Sequence, residues 1–214
     1  YYDLGKEFLT NEVNAAIEGF CSAGATEFLV ADGHGHGGIS PKLLDPRAEL
    51  ARNWAPPPYP FSLDKTFDYA VWIGQHAMSR TEYAHLAHTG NFGCFETTIN
   101  GTPVGEFGEM ALCATSLGVR VIFGSGDLAF TKEAQALVPG IETVAVKRGT
   151  TPGRGDECDA ETYAKRNLGA IHFQPERARE MILAWAERAI RRALADPSLG
   201  VVPLKPPFER VTIL

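Results

Sequence analysis

The sequence predicts an α/β fold with a largely parallel sheet, flanked by helices and carrying one hairpin insertion. Short continuous apolar runs, typical of strands buried on both faces, alternate with longer stretches whose apolar residues recur at helical spacing. Strands separated by helices in this way normally run parallel. With 214 residues the chain is long enough for one such domain, so we assign residues 1–214 to a single α/β domain.

The first half of the chain shows this alternation from its beginning. Thr10 is placed as a helix N-cap and Gly24 as a helix end, with apolar residues at helical spacing between them. Further along, Asn100-Gly101 has the sequence of a type I′ hairpin turn. The predicted elements are, in order, a helix over 10–24, a buried strand over 27–31, a glycine-rich loop over 32–38, a proline-rich connector over 56–60, a buried strand over 69–73 and a hairpin over 95–102.

The second half continues with elements of the same kinds. Glu106 begins a helix that Gly118 ends, and Pro175 stands in the first turn of a long amphipathic helix. Residues 149–156, rich in glycine, threonine and proline, are predicted to form a mobile loop. The predicted elements are a helix over 106–118, a strand over 119–123, a helix over 131–137, an extended segment over 143–146, the loop, a helix over 175–195 and the start of a strand over 210–214.

Composition and charge exclude several classes of protein. A net charge of −6 argues against nucleic-acid binding, and no run of eighteen apolar residues is present to span a membrane. The four cysteines are scattered without a CxxC pair, which fits neither a zinc ribbon nor a disulfide scaffold and favours a reducing, cytoplasmic location. Because the chain starts in a helical pattern without Met, we expect that an upstream segment has been removed or is not included in this sequence.

Polar side chains follow three of the predicted strands at the point where each strand ends. Asp32 and His34 follow the first strand, His76 the second and Asp127 the third. Because ligands bind at the carboxyl ends of parallel strands, we expect these side chains to converge. Imidazoles and carboxylates suit divalent metals, zinc first, and mixed sets can bridge two metals for hydrolysis. A phosphate-binding loop at 32–38 is the alternative, but the P-loop Lys and the GxGxxG order are missing.

Four other residues leave alternatives open at this stage. Glu106, in the first turn of a helix, is most simply a partner of the helix dipole. His85 and His88 lie three residues apart near the expected crevice, where either could act as a general acid or base. His36 is more simply an exposed loop residue than a ligand.

Six stretches of the sequence together form a recognisable pattern that extends over the whole chain. They are Val30-Ala31-Asp32-Gly33-His34, Gly74-Gln75-His76-Ala77, Ala87-His88-Thr89, the run from Ile99 to Glu106, Gly126-Asp127 and the run from Lys132 to Pro139. In order and approximate spacing they resemble the binuclear zinc D-aminopeptidases associated with bacterial dipeptide-transport operons. The resemblance implies that His34, His76 and Glu106 bind zinc and that His88 is the catalytic histidine. It gives no role to His36 or His85.

The resemblance also implies an activity and an assembly. The expected enzyme is a metallo-aminopeptidase that hydrolyses short peptides with an N-terminal D-amino acid, such as D-alanyl peptides. It would carry two zinc ions per subunit in the complete protein and form a homo-oligomeric ring. The alternatives are a hydrolase of L-peptides or small amides on the same scaffold, and a non-catalytic binding or scaffold protein.

The sequence departs from the family pattern in three places. The family's Asp-x-Glu-Gly motif, which supplies further metal ligands, is missing, and the family's C-terminal elements are missing as well. One additional residue stands between His76 and His88. We therefore expect a single peptidase domain that is truncated at both ends.

Overall fold

The computed structural model describes residues 2–34, 36–52 and 63–214, and within them the predicted α/β fold is confirmed. The proline-rich connector predicted over 56–60 lies outside the described residues. The elements are, in order, α1 (Tyr2–Ser22), β1 (Phe28–Asp32), β2 (Ala48–Arg52), β3 (Tyr69–Gln75), β4 (Glu96–Ile99), β5 (Thr102–Pro103), α2 (Glu106–Ser116), β6 (Arg120–Asp127), α3 (Leu128–Leu137), β7 (Glu142–Gly149), α4 (Ala160–Arg166), β8 (Ala170–His172), α5 (Pro175–Ala195) and β9 (Arg210–Ile213).

The sheets are largely parallel, as the alternation of strands and helices predicts. The largest sheet has the order β3-β6-β7-β8, in which β8 alone runs antiparallel to its neighbour. Strands β1 and β2 form a separate parallel pair. The predicted hairpin is the antiparallel pair β4 and β5, and Asn100 and Gly101 take the positive φ angles of 51° and 74° that a type I′ turn requires.

Helices cover both faces of the central sheet, so its middle strand β6 is buried. Val121 packs on one side in a core formed with α2 and α3, while its neighbour Ile122 packs on the other side against α1 and α5. Helices α1 and α5 approach closely at Gly19, where a β carbon would lie 2.3 Å from the Leu183 carbonyl oxygen. This burial fixes the position of β6, whose carboxyl end at Asp127 borders the candidate metal centre.

Two sequence predictions need correction. Helix α1 begins at Tyr2, so Thr10 is not its N-cap. Instead the Thr10 hydroxyl donates to the Lys6 carbonyl and accepts a hydrogen bond from the Ser40 N–H, which satisfies the hydroxyl inside the helix. In addition, β1 and β3 are only partly buried, because each has a single strand partner in the part of the chain that the structure describes.

Strand β6 continues to Asp127, beyond the predicted end at residue 123. Its glycines are close-approach positions and do not interrupt the strand. A β carbon on Gly124 would lie 2.9 Å from the Phe130 ring, and one on Gly126 would lie 2.0 Å from the Gln75 carbonyl oxygen. Glycine in a strand interior often marks such an approach of another backbone.

The segment 149–156 is held against the loop that follows β3. The Tyr83 N–H donates to the Thr151 carbonyl over 2.9 Å, and the Gly153 N–H donates to the Glu82 carboxylate over 3.2 Å. The buried Arg80 guanidinium donates to the Gly155 carbonyl. Mobility of this segment therefore stays a prediction. Within the described residues, none of the helices is both long enough and apolar enough to cross a membrane.

Candidate metal centre

His76 directly follows β3, at the carboxyl edge of the central sheet. The strand ends through Gly74, whose φ of 80° is readily available to glycine, and through Gln75, which lies against Gly126 of β6. These contacts fix the backbone on which the His76 imidazole is mounted. The side chain is 20% exposed.

His88 lies in the loop between β3 and β4. Tyr83 and Leu86 adopt positive φ angles of 52° and 57°, which turn this loop back toward the end of β3. Ala84 and Ala87 are buried in the core beneath the loop, and the Leu86 N–H donates to the Asn167 carbonyl over 2.9 Å. His88 is therefore presented from a firmly anchored turn, as the Thr-Gly sequence that follows it suggests.

Glu106 is the first residue of α2, where a carboxylate also favours the helix dipole. In addition, its carboxylate oxygen Oε1 accepts a hydrogen bond of 2.8 Å from the Gly90 N–H. Gly90 belongs to the loop that carries His88. The carboxylate is thereby directed toward the two histidines.

His76, His88 and Glu106 converge on one point. One ligand atom from each lies within 4.8 Å of the others, which makes them a group able to hold a metal ion. His76 Nε2 lies 3.5 Å from Glu106 Oε2, and His88 Nε2 lies 3.6 Å from Glu106 Oε1. The two imidazoles stack with their ring centroids 4.0 Å apart. The structure thus brings together three of the four predicted site residues.

Hydrogen bonds at Nδ1 define which nitrogen of each ring is available. His76 Nδ1 lies 3.0 Å from the Ala77 carbonyl oxygen, and His88 Nδ1 lies 2.7 Å from the Leu86 carbonyl oxygen. A carbonyl only accepts, so we infer that both Nδ1 atoms carry the proton. Nε2 is then left with a lone pair, the arrangement in which a histidine binds a metal or takes up a proton.

The three groups influence one another electrostatically. Burial alone would raise the pKa of Glu106, but the hydrogen bond and charge of His76, the Gly90 N–H and the charge of His88 together outweigh it and lower that pKa to about 2. Burial opposes the charged form of His76, yet the Glu106 carboxylate raises the pKa of His76 overall. Burial and the charge of His76 lower the pKa of His88. Glu106 is therefore an anion at neutral pH, and His88 favours its neutral form.

The spacing of these atoms fits zinc. Two ligands at typical zinc distances in tetrahedral coordination lie about 3.4 Å apart. The 3.5 Å between His76 Nε2 and Glu106 Oε2 is close to that value. Imidazole and carboxylate are also the ligand types of catalytic zinc sites, where the fourth position stays open.

His34 does not join this group among the described residues. It lies in the loop after β1, with its side chain 59% exposed, and its Nδ1 is 2.9 Å from Asp32 Oδ1. The fully buried Asp32 carboxylate also accepts hydrogen bonds from the N–H groups of Gly38 and Ile39. A carboxylate bonded to Nδ1 is a common way to orient a metal-binding histidine. The ligand role of His34 stays a prediction.

Gly38 leaves room for the His34 ring in this loop. A β carbon on Gly38 would lie 2.6 Å from His34 Nδ1, so a side chain there would displace the imidazole. His36 is exposed. The loop therefore packs around Asp32 and the His34 ring.

The other sequence candidates lie beside the metal group. Asp127 caps α3 by accepting from the Ala129 N–H and also accepts from the His85 N–H over 2.6 Å. The His85 ring packs edge-on against His172, and burial, followed by the charge of Lys147, lowers the pKa of His85 to about 4. His85 is therefore neutral at physiological pH and contacts other residues than Glu106.

A family model described as D-aminopeptidase, peptidase M55, matches residues 1–211. The chain belongs to the M55 D-aminopeptidase family.

Two relatives show how far the similarity extends. A D-aminopeptidase of Bacillus subtilis (strain 168) is 36% identical over 152 residues, which are 69% of this chain and 54% of that protein. The solved structure of the zinc-dependent D-aminopeptidase DppA from Bacillus subtilis, described as a self-compartmentalizing protease, superposes with a TM-score of 0.80. The two chains are 28% identical, and the superposition covers 99% of this chain and 70% of the DppA chain. The chain thus spans about half the length of the curated relative that it matches.

Membership of the M55 family confirms the resemblance inferred from the six sequence stretches. Sequence reasoning assigned no role to Glu133, which lies in one of these stretches; its Oε1 atom is buried and its Oε2 atom accepts a hydrogen bond from the Met78 N–H, beside the group. A glutamate in the middle of an amphipathic helix is normally solvated, so no local signal indicates its position.

Proposed function

We propose that this protein is a zinc-dependent aminopeptidase that hydrolyses short peptides with an N-terminal D-amino acid. The observation that carries the proposal is the convergence of His76, His88 and Glu106 at the carboxyl edge of the sheet. Membership of the M55 family and the similarity to a zinc-dependent D-aminopeptidase support it.

His76 and Glu106 would hold zinc, together with His34 from the neighbouring loop. Bound there, zinc would supply a Lewis acid that lowers the pKa of a water molecule and polarises a carbonyl oxygen. Glu106 contributes a negative charge, and the Gly90 N–H orients its carboxylate. Residues outside the described group would be needed for a second zinc ion, which we expect in the complete protein.

His88 would handle protons. Its Nδ1 is bonded to the Leu86 carbonyl and its Nε2 faces the site, so Nε2 can accept a proton from the attacking water. The lowered pKa of His88 keeps Nε2 free to accept that proton. The resulting imidazolium would lie beside the Glu106 carboxylate, and it would then donate the proton to the amine that leaves.

Substrate, assembly and location belong to the proposal as well. The preference for D-residues follows the names of the relatives, since no pocket residue that we can name selects the stereochemistry. The description of DppA as self-compartmentalizing supports a homo-oligomer, and its ring form is what the family resemblance implies. A cytoplasmic location is proposed from the scattered spacing of the four cysteines in the sequence. A non-catalytic scaffold is the alternative if a ligand set of three proves insufficient for metal binding.

The proposal is tested with purified protein and paired dipeptides. D-Ala-Gly and L-Ala-Gly are assayed with and without a chelator, followed by addition of zinc. We expect cleavage of the D-peptide, loss of activity on chelation and recovery with zinc. Faster cleavage of the L-peptide with the same zinc dependence would retain the mechanism and overturn the substrate. Absence of bound metal and of any peptidase activity would favour the scaffold alternative.

A further inference from the structure

Glu133 lies on α3, outside the ligand group, and the proposed mechanism does not use it. Its Oε2 accepts a hydrogen bond of 2.8 Å from the Met78 N–H. Its Oε1 is buried and faces Gly105, where a β carbon would come within 3.1 Å of that oxygen. One carboxylate therefore contacts two backbone segments that are 27 positions apart in the sequence, as the residue numbers 78 and 105 show.

These two segments are the ones that carry the metal-binding side chains. Met78 stands two positions after His76, and Gly105 directly precedes Glu106. The segments are also in direct contact, since a β carbon on Gly105 would lie 2.7 Å from the Met78 β carbon. Such a close approach is possible only because residue 105 has no side chain.

The buried position is unfavourable for a carboxylate. Among the described residues Oε1 has no hydrogen-bond partner of good geometry, although buried carboxylate oxygens usually have one. Burial raises the pKa of Glu133 to about 7, even though the Met78 hydrogen bond acts in the opposite direction. An apolar side chain would avoid this desolvation cost. Support of the metal-binding segments offers a reason for a carboxylate at this place.

We propose that Glu133 is a positioning residue for the metal centre. It holds the backbone that follows His76 against the backbone that precedes Glu106, and so sets the distance between these two ligands. The inference rests on the proposed function for the identity of the metal, whereas the contacts of Glu133 are independent of it. Residues that orient metal ligands typically change metal affinity about 10- to 100-fold when they are replaced.

The test compares three variants of the metal-free protein with the wild type, using Co²⁺ as a spectroscopic probe. Glu133→Ala should weaken Co²⁺ binding by about 10- to 100-fold. Glu133→Gln should recover part of this loss, because its amide oxygen can still accept from the Met78 N–H. Gln135→Ala is the matched control on the same helix, α3. It removes the 2.7 Å hydrogen bond that Gln135 donates to Thr143 but leaves the metal-binding group unchanged.

Thermal unfolding of each variant separates positioning from general destabilisation. Equal Co²⁺ affinity of Glu133→Ala and the wild type would overturn the proposal, and so would an equal loss in Gln135→Ala. If Glu133→Ala does not fold, Glu133→Gln and Gly105→Ala decide instead. Gly105→Ala should displace Met78 and weaken Co²⁺ binding, and unchanged affinity in both variants would contradict the proposal.

A second readout needs no metal. The ring nitrogen NMR signals of His76 in the metal-free protein should shift in Glu133→Ala and stay in place in Gln135→Ala. Unchanged signals in Glu133→Ala would overturn the positioning role. A wild type that fails to bind Co²⁺ or to cleave peptides would sink the proposed function, and the NMR comparison would still decide the role of Glu133.

Discussion

The histidines beside Glu106 and the histidine after β1 are held in different ways. The side chains of His76 and His88 are 20% and 24% exposed, and backbone carbonyls fix their Nδ1 atoms. The His34 side chain is 59% exposed and depends on the Asp32 carboxylate. The predicted site residues therefore comprise a partly buried, preorganised group and an exposed histidine in a loop. We expect substitutions in the two parts to differ in how they affect zinc binding, turnover and stability.

The largest expected effect is that of His88→Ala on turnover. Removal of a positioned general acid or base should lower kcat by about 10²- to 10⁴-fold. Bound zinc should remain near the wild-type level, as measured by elemental analysis. His76→Ala is the matched variant in the same group and should lose zinc and activity together.

Loss of zinc in His88→Ala would show instead that His88 is a ligand. Its distance of 3.6 Å from Glu106 would then reflect shared coordination. Full activity of His88→Ala would remove His88 from the mechanism, and His85 would be the next residue to test.

His34→Ala tests whether the exposed loop belongs to the metal centre. If His34 is a ligand, its removal should weaken zinc binding by at least about 100-fold, beyond the usual range for residues that only orient ligands. His36→Ala is the control in the same loop, because His36 is exposed and has no assigned role. Competition with a coloured chelator measures both affinities, and equal values for the two variants would exclude His34.

Asp32→Asn should have a smaller effect, on the orientation of His34. The amide retains one acceptor oxygen but places an NH₂ group near the N–H donors of Gly38 and Ile39. We expect zinc affinity to fall by about 10-fold and the free energy of unfolding to fall by about 1.5–3 kcal/mol. Urea unfolding of the metal-free protein checks the second value. Unchanged zinc affinity together with lowered stability would restrict Asp32 to a structural role.

The smallest expected effect is that of Gly101→Ala in the hairpin. The φ of Gly101 is 74° and a β carbon there would meet no atom within 4 Å, so the cost is conformational only. We expect a loss of about 1–2 kcal/mol in the free energy of unfolding. Zinc affinity and kcat should not change, which makes this variant a control for destabilisation outside both parts of the site. A change in zinc affinity would mean that the hairpin supports Glu106.

The sequence predicts the fold well where patterns are local. The apolar runs locate β1, β3 and β6, and Asn100-Gly101 locates the hairpin, because turn geometry depends on these two residues alone. The start of α1 could not be predicted from Thr10, since the partner that satisfies its hydroxyl, Ser40, is distant in the sequence. The end of β6 could not be predicted for the same reason, because Gly126 is required by its contact with Gln75, which is distant in the sequence.

The site shows a similar division. The strand-end positions of His76 and Asp127 can be predicted from the sheet topology. The turn that brings His88 to Glu106 cannot be predicted in this way, and neither can the position of Glu133 against Met78. The family resemblance supplied the roles of Glu106 and His88, which the residues alone left open. Tertiary contacts between distant segments are invisible to local periodicity.

The carbonyl contacts of His76 and His88 have a consequence for how this protein can vary over evolution. Every residue has a carbonyl group, so substitutions at Ala77 or Leu86 that keep the backbone path preserve the tautomer of each ring. The orientation of His34 does not tolerate substitution of its partner in the same way, because a single nucleotide change in the codon for Asp32 can remove the carboxylate that binds His34 Nδ1. Sequence drift should therefore be freer around the two partly buried histidines. If His34 is a ligand, a lineage that loses metal binding would most readily lose it through the loop after β1.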